Sequence, residues 1–101
     1  MPTTTKALFR GAATTTVGTT LYTVPSATTT VVSNIAVTNT GSTAYTFTLA
    51  LAGTALHTTA AIAANTTIYI DCKQVLVATN TITGGASNVA VNFHISGVEI
   101  N

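Results

Sequence analysis

Charge is nearly absent from this sequence. Charged residues make up 5% of its 101 positions, against roughly 25% in an average soluble domain. Lys6, Arg10 and Lys73 are the whole basic complement, and Asp71 and Glu99 the whole acidic one. So few cations exclude a nucleic-acid-binding surface, which needs them clustered to displace counterions from phosphates. The net charge of +1 also lacks the self-repulsion that keeps copies apart. It favours a protein that works inside an assembly. Tryptophan is missing, and a single cysteine, Cys72, excludes an intrachain disulfide. The opening MPTTTKALFRG lacks the apolar core of a secretory signal. No run approaches the roughly 20 apolar residues of a membrane-spanning helix.

What is present is threonine, about a quarter of the chain. It is β-branched and favours strands, and its hydroxyl takes the place of charge on solvent faces. Apolar residues make up 47%, enough for one domain with one modest core. They alternate, and a period of two is the mark of a half-buried strand. Within residues 31–52, Val31, Ile35 and Val37 share one face, and Val32, Asn34, Ala36 and Thr38 the other. Tyr45, Phe47, Leu49 and Leu51 then share a face of the next strand. Asn39-Thr40-Gly41-Ser42-Thr43 lies between them and carries turn residues, so the stretch reads as a hairpin. Later, Val89, Val91, Phe93 and Ile95 alternate with Ala90, Asn92, His94 and Ser96. Gly97 marks a change of phase, with Val98 and Ile100 continuing on the opposite parity, which reads as a bulge or bend.

Shorter strands are expected at residues 7–9, 14–17, 21–24, 54–58, 65–72, 75–77 and around Ile82. Pro25 stops the third of these, because it has no N–H for a ladder. Residues 60–64 read as a connecting loop, and Gly84-Gly85-Ala86-Ser87-Asn88 as the most flexible turn. The expected fold is all-β: a single β-sandwich, jelly-roll or Greek-key-like, of about eight short antiparallel strands. Residues 1–10 form an N-terminal arm able to order on a neighbouring subunit, and residues 11–101 form the sandwich.

The residues that carry chemistry are too scattered to suggest a reaction. Asp71 and Glu99 are the only possible carboxylate pair, and a glycoside hydrolase needs its two about 5–10 Å apart. Cys72 stands between Asp71 and Lys73, where a lysine can lower a thiol pKa. Its parity with Ile68 and Ile70 instead makes it a small core residue. His57 sits near a turn, and His94 shares a polar face with Asn92 and Ser96. No CxxC, HxH or HxxxH spacing pre-assembles metal ligands. The chain reads as non-enzymatic, with no catalytic residue, metal or cofactor. Thr28/Thr30, Thr38/Thr40, Thr46/Thr48 and Thr81/Thr83 place hydroxyls two apart, without a fixed repeat; they read as solvent-facing strand positions.

Three stretches carry a likeness. Leu21-Tyr22-Thr23-Val24-Pro25 is followed by Val37-Thr38-Asn39-Thr40-Gly41-Ser42, and the chain closes on Val91-Asn92-Phe93-His94-Ile95-Ser96-Gly97-Val98-Glu99-Ile100. From Thr19 onward the chain resembles small all-β virion proteins of tailed bacteriophages. Where such relatives often have glycine after the proline, this chain has Ser26-Ala27-Thr28. These are packing and turn motifs, so the resemblance implies a fold and a setting without a reaction. The setting is a capsid decoration or cement protein on the outer head surface of a virion. Its partners would be other copies of itself, as a homotrimer, and the major capsid protein, with no nucleic acid and no membrane. A tail or baseplate protein of the same fold is one alternative, and a carbohydrate-binding module is another. In that setting the candidate interface residues are Leu8, Phe9 and Arg10 on the arm, since aromatic and arginine side chains make good anchors, with Asn92 and His94 on the last strand.

Overall fold

The computed structural model describes residues 3–71 and 73–101. Alternation of apolar and small polar residues produces nine strands and, among the described residues, no helix. They are β1 (Thr3–Ala12), β2 (Thr20–Thr23), β3 (Thr29–Asn39), β4 (Tyr45–Leu51), β5 (Thr54–Ile62), β6 (Thr66–Ile70), β7 (Gln74–Leu76), β8 (Thr81–Ala86) and β9 (Val91–Ile100). All pairings are antiparallel. β1 pairs with β9, β2 with β8, β3 with both β6 and β7, and β4 with β5. The chain therefore runs out along β1–β4 and back along β5–β9 as one long two-stranded ribbon. The ribbon rolls up so that β9 also pairs with β3, and β8 with β4. Two sheets result, ordered β1-β9-β3-β6 (with β7 on the same side of β3) and β2-β8-β4-β5. This is a jelly-roll β-sandwich. Its core lies between the sheets, where Phe47 of one meets Phe93 of the other edge to face at 6.2 Å.

The stretch read as a hairpin is not one. β3 and β4 belong to different sheets, and residues 40–44 carry the chain across the sandwich. Their apolar faces meet through the core instead of lying side by side. Asn39, fully buried, holds this crossing. Its amide donates to the carbonyls of Thr43 (2.8 Å) and Ile62 (3.3 Å), and its side-chain oxygen accepts from the Gly41 N–H (2.9 Å). The true hairpin is β4–β5, turned by Ala52 (φ 52°) and Gly53 (φ 78°).

The expected arm is also different: from Thr3 onward it is β1, an edge strand paired with β9 along its length. Met1 and Pro2 lie outside the described residues. Residues 14–17 form no strand but a loop closed by hydroxyls, with Thr14 Oγ1 and Thr19 Oγ1 2.6 Å apart. Residues 60–62 belong to β5, because Tyr45 and Thr46 pair with Ile62 and Ala61. Gly84, Gly85 and Ala86 are buried in β8. Glycine is needed there because a Cβ at Gly85 would lie 2.5 Å from the Thr16 carbonyl oxygen of the loop between β1 and β2. Thr28 and Thr30 are buried, not solvent-facing.

β9 keeps one parity throughout: Val91, Phe93, Ile95, Gly97 and Glu99 are buried, while Val98 and Ile100 are not. The phase change expected at Gly97 lies in the strands on either side. β1 carries an extra residue at Leu8 and β3 one at Ser33, both at the level of Ser96. Val31 is thereby turned away from Ile35 and Val37, and Val32 joins the core in its place. A Cβ on Gly97 would stand 2.5 Å from the Val31 carbonyl oxygen and 2.9 Å from Leu8 Cδ1.

Candidate functional site

Register places the outward side chains of the first sheet in rows. Arg10 of β1, His94 of β9, Ala36 of β3 and Tyr69 of β6 form one row; Ala12, Asn92, Thr38 and Thr67 form the next. Thr38 and Thr67 join their hydroxyls at 3.0 Å. At the opposite end Val98, Val31 and Val75 make an apolar row, with Val75 63% exposed. Tyr69 is 73% exposed and stands beside the small Ala36. The result is a face four strands wide, polar at one end and apolar at the other.

Three of the five candidate interface residues, Arg10, Asn92 and His94, come together on this face. The bulge in β1 separates the other two from it. Leu8 turns into the core, and Phe9 packs against the core half-buried. Both therefore stabilise their own subunit, because an extra residue at the bulge lets two consecutive side chains point inward.

The paired bulges open a hollow of about 370 Å³ on the same face. Thr5, Arg10, Ser33, Ser96 and Val98 line it, and Lys6 and Gly97 reach it from the strands beneath. Ser33 Oγ donates to the Ser96 carbonyl at 3.2 Å across it. Arg10 is in neither of the two ion pairs formed among the described residues.

On the inner side lies a cluster that alternation did not anticipate. Glu99, 9% exposed, accepts a hydrogen bond from the Tyr22 hydroxyl at 2.5 Å and one from Lys6 Nζ at 3.4 Å. The Thr30 hydroxyl completes the chain, 2.8 Å from the Tyr22 oxygen. With its proton directed at Glu99, Tyr22 accepts from Thr30. Burial raises the Tyr22 phenol above its ordinary pKa, and the bond to Glu99 raises it further. The cluster ties β2 of one sheet to β1, β3 and β9 of the other. It acts as a structural strap, with the carboxylate held by side chains from two other strands.

The remaining candidates stay apart. Asp71 pairs with Lys73 at 3.2 Å in solvent, so Asp71 and Glu99 share no partner. His57 packs on Phe47, ring centroids 5.5 Å apart, away from His94. Cys72 lies outside the described residues. Among the described residues, no three His, Cys, Asp or Glu side chains gather as metal ligands would. Compared with known proteins, the chain matches no family model, no curated protein and no solved structure.

Proposed function

We propose that this chain is a non-enzymatic structural protein of a bacteriophage virion, a decoration protein mounted on the outer surface of the head as a homotrimer. The observation that carries this reading is the outer face of the first sheet. It is broad, pre-formed on paired strands and nearly free of charge, with Arg10 as its isolated cation and Asn92, His94 and Tyr69 beside it. Such a face suits contact with a large protein surface, where a few aromatic and arginine anchors dominate affinity. The jelly roll agrees in kind, since it recurs in viral capsid domains. A fold alone assigns no role, so the weight rests on the face.

A carbohydrate-binding module is the second reading. Exposed Tyr69 favours it, because an exposed aromatic ring beside a small residue offers a sugar a stacking surface.

The experiment is to purify virions carrying the chain, separate heads from tails, and quantify it in each fraction by mass spectrometry. Many copies per head, and a released species of trimer mass by sedimentation, are the expected result. A few copies confined to tails would replace head decoration with a role in adsorption. Absence from both fractions, together with a positive glycan array, would overturn the virion reading. Deleting residues 1–10 is not a clean test of attachment, because it removes most of β1 and takes Leu8 out of the core.

A further inference from the structure

We propose that the hollow on the outer face of the first sheet is a carboxylate-binding site, with Arg10 as its anchor, and that it receives an acidic side chain of the protein surface on which the chain is mounted. The inference deepens the virion reading and rests on it for the source of the carboxylate.

Three observations carry it. The hollow is built into the fold: bulges at Leu8 in β1 and Ser33 in β3 fall at the same level on both sides of β9. Bulges at matching positions re-aim side chains and are enriched next to binding sites. Arg10, one of the chain's three cations, lines this hollow, while the Lys6 ammonium lies on the inner side of the sheet against Glu99. Among the described residues no side-chain carboxylate faces it, because Glu99 points into the sandwich onto Tyr22 and Asp71 is held by Lys73 at the opposite edge of the sheet.

The charge balance selects the ligand. Lys6 is matched by Glu99 at 3.4 Å and Lys73 by Asp71 at 3.2 Å, which leaves Arg10 as the side-chain cation outside an ion pair among the described residues. One guanidinium suits a singly charged carboxylate and leaves a phosphate dianion under-neutralised. Its planar fork can also grip a carboxylate through two parallel hydrogen bonds. Thr5, Ser33 and Ser96 add hydroxyl-bearing walls, and Val98 gives the stem of an acidic side chain an apolar surface to lie on.

The test is an NMR titration of the full chain with an oligoglutamate peptide, compared with oligoglutamine, inorganic phosphate and glucuronate, for the native protein and for Arg10→Gln and Arg10→Lys. Arg10 is exposed, so both variants keep the fold, and their spectra report it directly. Oligoglutamate is expected to shift the amide signals of Ser33, Ser96 and Gly97 and the Arg10 guanidinium signals, with oligoglutamine silent. Arg10→Gln should weaken this binding at least about tenfold, and Arg10→Lys by less, since it keeps the charge but loses the fork. No shift around the hollow, or the same affinity in Arg10→Gln, overturns the site. Phosphate binding as tightly as oligoglutamate overturns the carboxylate assignment, and tighter glucuronate binding overturns the protein source. The titration uses the isolated chain, so its failure leaves the virion assignment standing. Absence of the chain from particles removes that assignment without touching the titration.

Discussion

Tyr22 contributes the one hydroxyl that reaches from the second sheet to the buried carboxylate of the first. Hydrogen bonds to charged groups contribute about 1.5–3 kcal/mol, and leaving the charged partner short of a donor adds to the cost. Tyr22→Phe is therefore expected to destabilise the protein by about 2 kcal/mol, read as a lower urea midpoint at unchanged slope. A loss within error would show that water replaces the phenol without penalty. The same residue sets an alkaline limit. Its folded-state pKa is raised, so the unfolded chain releases this proton first and the folded state holds it more tightly. Stability from this group is complete below about pH 10 and is lost as pH rises through the folded value. The native protein should weaken above about pH 10, and Tyr22→Phe should remove that part of the slope. The sequence concealed this cluster for a physical reason. Val98 and Ile100 are apolar and Glu99 is charged, so hydropathy alone turns Glu99 outward. Only the partners, Tyr22 and Lys6 from distant strands, make its burial tolerable.

Alternation within a strand reports which side chains share a face, not which strand lies alongside. β4 and the first half of β9 were therefore legible, with Phe47, Leu49, Leu51, Val91, Phe93 and Ile95 all inward. The partnership of β3 with β4 was not, because an arch and a hairpin have the same pattern and both use Asn and Gly. The hairpin that does form, β4–β5, has an unremarkable Ala-Gly turn. Both central residues have positive φ, the geometry of a type I′ turn, which favours Asn at the first position. Ala52→Asn should raise stability by about 0.5 kcal/mol, measurable as a higher melting temperature; a drop would mean that the exposed turn is not the strained element. The interface candidates divide by the same logic. Arg10, His94 and Asn92 share the outer face, whereas Leu8 turns into the core at a bulge that leaves no trace in hydropathy. Four of the five charged residues lie on the margins of the first sheet: Lys6 and Arg10 on β1, Asp71 and Lys73 beside the break between β6 and β7. Charges there discourage sheet edges from pairing with stray chains, so a nearly uncharged molecule places its few charges where they prevent aggregation.

Across the whole molecule, the ribbon makes nearly every strand pairing long-range. The β4–β5 hairpin is local, while β1 waits for β9 and β2 for β8. Closing such large loops before any contact forms slows folding. Refolding from urea is expected to take roughly milliseconds to seconds, as for other small sandwiches, with β4–β5 amides protected first in pulsed hydrogen exchange. Protection appearing first at β1 and β9 would refute that order. The same geometry bears on synthesis. Of the nine strands, β9 leaves the ribosome last, yet it occupies the middle of the first sheet, between β1 and β3. Until it emerges, those two strands expose the sides it will cover, and the nascent chain cannot mature strand by strand from its beginning. Where such a protein is translated at high copy number, that interval, and not the finished fold, is where crowding and chaperones matter most.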